Sequence, residues 1–333
     1  MKKFGKIAAL MFCVGGLVFA NGQGENTEAS PAQKSSGSLQ GTVTVYTPSG
    51  PEITDPIFDA FKQKYPGVNV QIVKAGSGEI FSRLEAEKGN PAADIMFGGD
   101  TVSYDSYSDL FASYESSEDG AMITNDPTHK WHPFTIMCQP IMVNTGMLKP
   151  ADYPKTAKEL SDPKWKKGGI ALSNPNQSGT GYTIVSGLVN AYGWDFVKVL
   201  LTNCVITSSS DAMFKAVKDG EVPVGFINED LGVKWEQQGL PVKLIYEPDA
   251  VTVQMDALGL VKGCPHPELG KALIDFICSK EAHEIAVEKI QRRSARKDVD
   301  PPASLPKLGD LKLFTASEPR DVVSAKFDAL TIK

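Results

Sequence analysis

The sequence predicts a two-lobe α/β fold in which parallel-rich mixed sheets are joined by two hinge strands. Three observations lead there. The chain has 333 residues, more than one hydrophobic core usually encloses. Short β-branched strands alternate with amphipathic helices, the pattern of a parallel sheet. Two long apolar extended runs, residues 136–143 and 251–261, are suited to carry the chain from one lobe to the other and back.

The elements follow in order. Thr42 to Tyr46 is β-branched and aromatic, as expected of a buried strand. Asp55-Pro56 reads as a cap with a first-turn proline, and Ile57, Phe58 and Phe61 give the helix an apolar face until Pro66-Gly67. Val68, Val70 and Ile72 alternate as a second strand, Glu79 to Lys88 reads as a helix, and Ile95 to Phe97 as a third strand. Beyond the first crossing, Ser178-Gly179-Thr180-Gly181 opens a long apolar helix. Asp211 is placed as the cap of a helix carrying Met213, Phe214 and Val217, and Val222 to Ile227 forms a strand. The expected division is a first lobe of residues 41–138 with 255–290, and a second of 139–254 with 291–333.

The first residues read as an export signal. Lys2, Lys3 and Lys6 precede an apolar run from Ile7 to Phe19, with Ala20 before the expected cut. That run is too short to remain as a membrane span, and Phe12 before Cys13 argues against lipid attachment there. Residues 21–40 are polar and form a flexible leader. The expected location is therefore the periplasm, as a monomer. Cys138, Cys204, Cys264 and Cys278 show no C-x-x-C spacing, so no zinc or redox motif is indicated, and pairing cannot be read from spacing.

The net charge of −6, and the lack of a long basic cluster, leave nucleic acid without an electrostatic footprint. No nucleophile elbow, zinc helix or phosphate loop is present. His129 and His132 are placed in a loop by Asp126-Pro127 and Pro133, so neither a metal site nor a cofactor is expected. What does recur is a Ser/Thr/Gly segment where a strand or loop runs into a helix. Thr47-Pro48-Ser49-Gly50, Ala75-Gly76-Ser77-Gly78 and Ser178-Gly179-Thr180-Gly181 are the instances. Free backbone N–H groups at helix starts, with hydroxyls beside them, suit an anion, and such ligands settle at the carboxyl ends of strands. The candidate binding residues are thus Ser49, Gly50, Ser77, Gly78, Ser178, Thr180 and Gly181, with Asp211, Glu229, Asp230 and Asp256 to accept from ligand hydroxyls or an amine. Tyr46, Phe97 and Tyr182 read as packing residues near the same place.

From Gly41 onward the chain resembles the ABC-importer binding proteins of the ferric-iron and organophosphate family. The resemblance is carried by Thr42-Val43-Thr44-Val45-Tyr46, by Phe58 and Phe61 before Tyr65-Pro66-Gly67-Val68, and by Pro91-Ala92-Ala93-Asp94-Ile95. It continues in Ser178-Gly179-Thr180-Gly181-Tyr182, Asp219-Gly220-Glu221-Val222-Pro223-Val224-Gly225 and Arg292-Arg293-Ser294-Ala295-Arg296-Lys297-Asp298-Val299. It implies a type II periplasmic-binding-protein fold, no enzymatic activity, and docking on a membrane permease driven by an ATPase. Iron-binding members carry two adjacent tyrosines after the strand that matches residues 222–227, whereas this chain has Asn228-Glu229-Asp230. That departure favours a phosphorylated small molecule, hexose phosphate ahead of an aminoalkylphosphonate, with Arg293 or Arg296 expected to face the phosphate. Ferric iron is the alternative ligand. A secreted phosphatase or glycosidase is a remote one, because sequence-adjacent Glu229 and Asp230 point in different directions and do not straddle a scissile bond.

Overall fold

The computed structural model describes residues 39–166 and 169–331. The expected export signal and nearly all of the leader lie outside the described residues. Among the described residues, no helix is long and apolar enough to cross a membrane.

The first sheet begins with β1 (Gly41–Thr47), which leads into α1 (Pro51–Lys64). The helix starts earlier than Asp55-Pro56 implied: Pro51 occupies its first turn, where a missing N–H is harmless, and Pro56 lies inside it. β2 (Val68–Lys74), α2 (Ser77–Ala86), β3 (Ile95–Asp100) and α3 (Thr101–Ser106) follow. β2 and β3 both pair parallel with β1. Their inward residues, Val43, Val45, Ile95 and Phe97, pack against Ile57, Phe58 and Phe61 of α1.

β4 (His132–Gln139) is the last strand of the first sheet before the chain changes lobe at Pro140. β5 (Ile141–Asn144) then belongs to a second sheet, completed by β6 (Ile170–Ser173), α4 (Gly179–Tyr192), α5 (Trp194–Leu201), β7 (Cys204–Thr207), α6 (Ser210–Lys218), β8 (Val224–Phe226), α7 (Glu229–Gln237) and β9 (Val242–Ile245). Its order is β7-β6-β8-β5-β9, with β6 parallel to β7 and β8, and β5 antiparallel to β8 and β9. α4 buries almost every residue of its first three turns, which accounts for its apolar run without a polar face.

The return occupies residues 246–250. β10 (Val251–Leu260), expected to be that crossing, lies wholly in the first sheet, antiparallel to β3 and β4. After α8 (Pro267–Cys278), α9 (Lys280–Ile285) and a π-helical turn at Ala286–Ile290, Gln291 adopts left-handed backbone (φ 66°). The reversal sends the next residues antiparallel to β4 as β11 (Arg293–Ser294). β12 (Leu313–Phe314) pairs with β10, and α10 (Arg320–Thr331) packs through Val323 and Phe327 into the second core. Residues 291–333, expected in the second lobe, are therefore divided, because β4 and β10 offer free edges to β11 and β12.

The four described cysteines are unpaired thiols. Cys138 and Cys278 are buried as small hydrophobes, and burial pushes the Cys264 thiol up to about 11.

Glu247 sits in the return crossing, 1% exposed, where it accepts a hydrogen bond from Ile141 N (3.4 Å) on the outgoing crossing. Its Oε1 has no partner among the described residues, and burial holds its carboxyl well above the ordinary 4.5. A group held protonated in the fold stabilises fully below its unfolded value and loses that contribution as pH rises toward its folded one. Glu247→Gln is therefore expected to match the wild type below pH 4.5. Above it, the variant gains by up to about 1.4 kcal/mol per pH unit until the folded-state value is reached. Urea midpoints across the pH range check this; parallel curves at every pH would refute it.

Candidate functional site

The two lobes enclose a cavity of about 390 Å³ between the carboxyl ends of their strands. From the first sheet come Ser49 and Gly50 after β1, Ala75 to Ser77 after β2, and Gly99 at the end of β3. From the second come Gln177 to Thr180 around the start of α4, Ser209 to Asp211 around the start of α6, and Asn228 and Asp230 at the start of α7. Helix N-termini thus converge from both lobes. Gly50 and Gly76 at the starts of α1 and α2, and Asn228 at the start of α7, make no side-chain cap, so backbone N–H groups there remain for a ligand. Ser178 and Ser209 do cap, accepting from Gly181 N (3.0 Å) and Ala212 N (3.1 Å). The cap of α6 is thus Ser209, and Asp211 lies within the first turn, exposed at the rim and 3.8 Å from Lys74 of the other lobe.

The lobes meet tightly beside the cavity. A Cβ added to Gly76 would fall 2.7 Å from Gln177 O, one on Gly78 2.5 Å from Asn176 O, and one on Gly179 2.7 Å from Ser77 Oγ. Only glycine allows these loops to touch. Gly78 serves this seam and faces away from the main cavity. Gly181 is likewise a packing residue, since its Cβ would lie 2.5 Å from Ser173 O. Neither lines the cavity, which corrects their assignment as ligand contacts.

The acids and arginines are arranged differently from the sequence expectation. Glu229 is 1% exposed and points into the hinge, not the cavity. It receives Arg293 Nε (2.7 Å) and Nη2 (3.0 Å), Cys138 N (3.0 Å) and Tyr246 Oη (3.0 Å). Arg293 is therefore committed to the hinge. Arg296 is bound to Asp298, to Glu118 and to Cys278 O, away from the cavity. The cavity's arginine is instead Arg292, which the sequence reading passed over. Its Nε meets Asp230 Oδ2 (2.8 Å) from the second lobe and its Nη1 meets Asp256 Oδ2 (2.7 Å) from the first. Burial works against its charge, yet the two carboxylates hold its pKa above the ordinary arginine value. Burial raises the Asp256 carboxyl, with Arg292 opposing, and Gln254 donates to its other oxygen. Asp230 Oδ1 and Asn228 Oδ1 are buried acceptors without a partner among the described residues.

Charge on the walls is balanced, with Lys74, Lys234, Lys289 and Arg292 against Glu52, Asp211, Asp230 and Asp256. Among the described residues, no tyrosine or histidine lines the cavity. Tyr46 donates to Glu87, Tyr182 to Glu318 O, and Phe97 packs in the first core, as their packing reading expected. Among the described residues no group of three His, Cys, Asp or Glu side chains is placed to hold a metal ion. His129 and His132 share Asp119 as partner, on loop and strand respectively, remote from the cavity.

Two sheets exchanging the chain twice, with a cavity lined by hydroxyl, amide and charged side chains at their facing strand ends, define a clamp that captures a small solute. The chain belongs to the family of bacterial extracellular solute-binding proteins, which its residues 43–289 match. Over 280 residues it is 28% identical to a protein of Salmonella paratyphi A named as a candidate 2-aminoethylphosphonate-binding periplasmic protein, covering 79% of this chain and 81% of that one. Its fold is that of the periplasmic binding protein AfuA of Actinobacillus pleuropneumoniae, solved with fructose-6-phosphate (TM-score 0.81, 24% identity, 89% of this chain and 100% of the other). It is equally that of iron-bound HitA from Pseudomonas aeruginosa (TM-score 0.75, 22% identity, 87% and 99%). The protein is the substrate-binding component of an ABC importer and not an enzyme.

Removing one partner of a buried ion pair strands the other charge, at a cost of about 3–5 kcal/mol. Arg293→Met should destabilise the protein by that amount in urea denaturation, and adding Glu229→Gln should restore a substantial part. An Arg293→Met variant as stable as the wild type would contradict the role assigned to this pair.

Proposed function

We propose that this protein captures a small organic anion bearing a phosphate or phosphonate, with a hexose phosphate as the leading ligand. It does so in the periplasm, as a monomer, after removal of an N-terminal signal, and passes the ligand to an ABC permease and its ATPase. The observation that carries the reading is the polarity of the cavity. One part is made of the uncapped starts of α1 and α2 with Ser49 and Ser77, and of the Thr180 hydroxyl at the start of α4, which offer donors to an anion. Another is lined by Asn228 and Asp230, whose buried Oδ1 atoms have no partner among the described residues and suit ligand hydroxyls or an ammonium group. An unmet buried acceptor costs about 1–3 kcal/mol, so a ligand that carries donors at its far end recovers that loss on binding. A cavity of about 390 Å³ lies in the range of about 300–1,000 Å³ usual for small-molecule sites.

The relatives' names support the same chemistry, since a 2-aminoethylphosphonate and a fructose phosphate each combine a phosphorus oxyanion with donors. Ferric iron is the second reading, favoured by the fold shared with iron-bound HitA. The lining runs against it, because hard phenolate donors are absent from these walls.

Titration calorimetry with glucose 6-phosphate, fructose 6-phosphate, 2-aminoethylphosphonate, glucose and ferric citrate tests the reading. Binding of a phosphate or phosphonate, with no heat from glucose, is the expected outcome. Tight ferric binding with a visible charge-transfer band, and no response to any organophosphorus probe, would reverse the order.

A further inference from the structure

Arg320 is the first residue of α10, 4% exposed, and it forms no ion pair among the described residues. Both facts are anomalous. A helix start favours negative charge, so a cation there is misplaced with respect to the dipole. A buried guanidinium without a carboxylate in contact is left uncompensated at a cost of several kcal/mol. Asp100 acts on it only at longer range, and burial holds its pKa below the ordinary arginine value.

Its contacts span the two lobes. Nε donates to Pro175 O (3.2 Å) ahead of α4, and Nη1 donates to Ser77 Oγ (3.0 Å) at the start of α2. Nη2 is buried with no partner among the described residues, and the guanidinium carbon Cζ lies 5.8 Å from the Tyr182 ring centroid. Ser77 lines the cavity; Arg320 does not. A hydroxyl has one hydrogen, and an oxygen that accepts from a cation must direct that hydrogen elsewhere. Ser77 has no acceptor for that hydrogen among the described residues and lines the cavity beside the uncapped N–H groups of α2, so a ligand oxygen there can accept it.

We infer that Arg320 is a positioning residue for anion capture: it fixes and polarises the Ser77 hydroxyl as a donor to the ligand's charged oxygen, and the arriving anion compensates the guanidinium across that hydroxyl. This rests on the organic-anion reading above. The same contact ties α10 and the loop before α4 to α2, so the donor is assembled only when the lobes meet.

The test is a double-mutant cycle read by calorimetry, using whichever of fructose 6-phosphate, glucose 6-phosphate and 2-aminoethylphosphonate the wild type binds most tightly. Losing a charge-assisted hydrogen bond corresponds to about thirtyfold in affinity, so Arg320→Gln and Ser77→Ala should each weaken binding by about that factor. In the Ser77→Ala background the further loss from Arg320→Gln should shrink to about threefold or less, a coupling of neighbours acting as one unit. Arg320→Lys runs the same cycle with a smaller loss if the glutamine variant does not fold. Equal losses from Arg320 replacement in both backgrounds would mean that the residue does not act through the Ser77 hydroxyl, and would overturn the inference. A wild type that binds none of the three probes would overturn the ligand reading and this inference together, a result distinct from missing coupling.

Discussion

Two adjacent acids at the start of α7 face two adjacent arginines at the edge of the first sheet, and the four groups hold the lobes in register. Glu229 takes Arg293 inside the hinge, and Asp230 takes Arg292 at the cavity wall. The left-handed turn at Gln291 brings the arginines alongside β4, where successive residues of an extended chain project to opposite sides. At the start of α7, neighbouring side chains likewise diverge. The geometry must be good because the environment is dry: desolvating ions is repaid only when every lone pair finds a donor. Glu229 meets that condition with four donor contacts, whereas Asp230 keeps one oxygen open. The satisfied pair is structural, and the unsatisfied one belongs to residues that line the cavity.

The cleft follows from that restraint. With the hinge fixed at Pro140 and at residues 246–250, the carboxyl ends of parallel strands from both sheets point at one another. The helices that follow bring their starts to the same place. Donors come from backbone and hydroxyls, and acceptors from Asn228 and Asp230. A solute that engages both lobes shifts the population toward closure by the difference in its contacts between the two states.

Much of this was legible in the sequence. β1 follows from the β-branched and aromatic run Thr42 to Tyr46, β2 from alternation in Val68 and Val70, and β3 from Ile95 to Phe97, and the Ser/Gly junctions at Ser49, Ser77 and Thr180 do reach one cavity. What the sequence did not disclose depends on long-range meetings. Glu229 stands out as an acid after a strand, but nothing local says that Arg293 will cover it. Arg292 and Arg293 are neighbours with opposite destinations, decided by the backbone reversal at Gln291. Ser77 and Arg320 are too far apart along the chain for spacing to join them. The one available signal for Arg320 was its place directly after Pro319, a basic residue where a helix begins. Asp211 was misplaced by a smaller error, because three consecutive serines competed to cap α6 and Ser209 prevailed.

The seam of Gly76, Gly78 and Gly179 carries a consequence for redesign. These glycines touch the opposing loop within the same segments that present Ser77 and Thr180 to the solute. A side chain introduced there to reshape recognition also wedges the jaws apart. Selectivity and grip are therefore geared to each other in this protein, and a variant library that varies these loops will change how long cargo is retained whenever it changes which cargo is chosen.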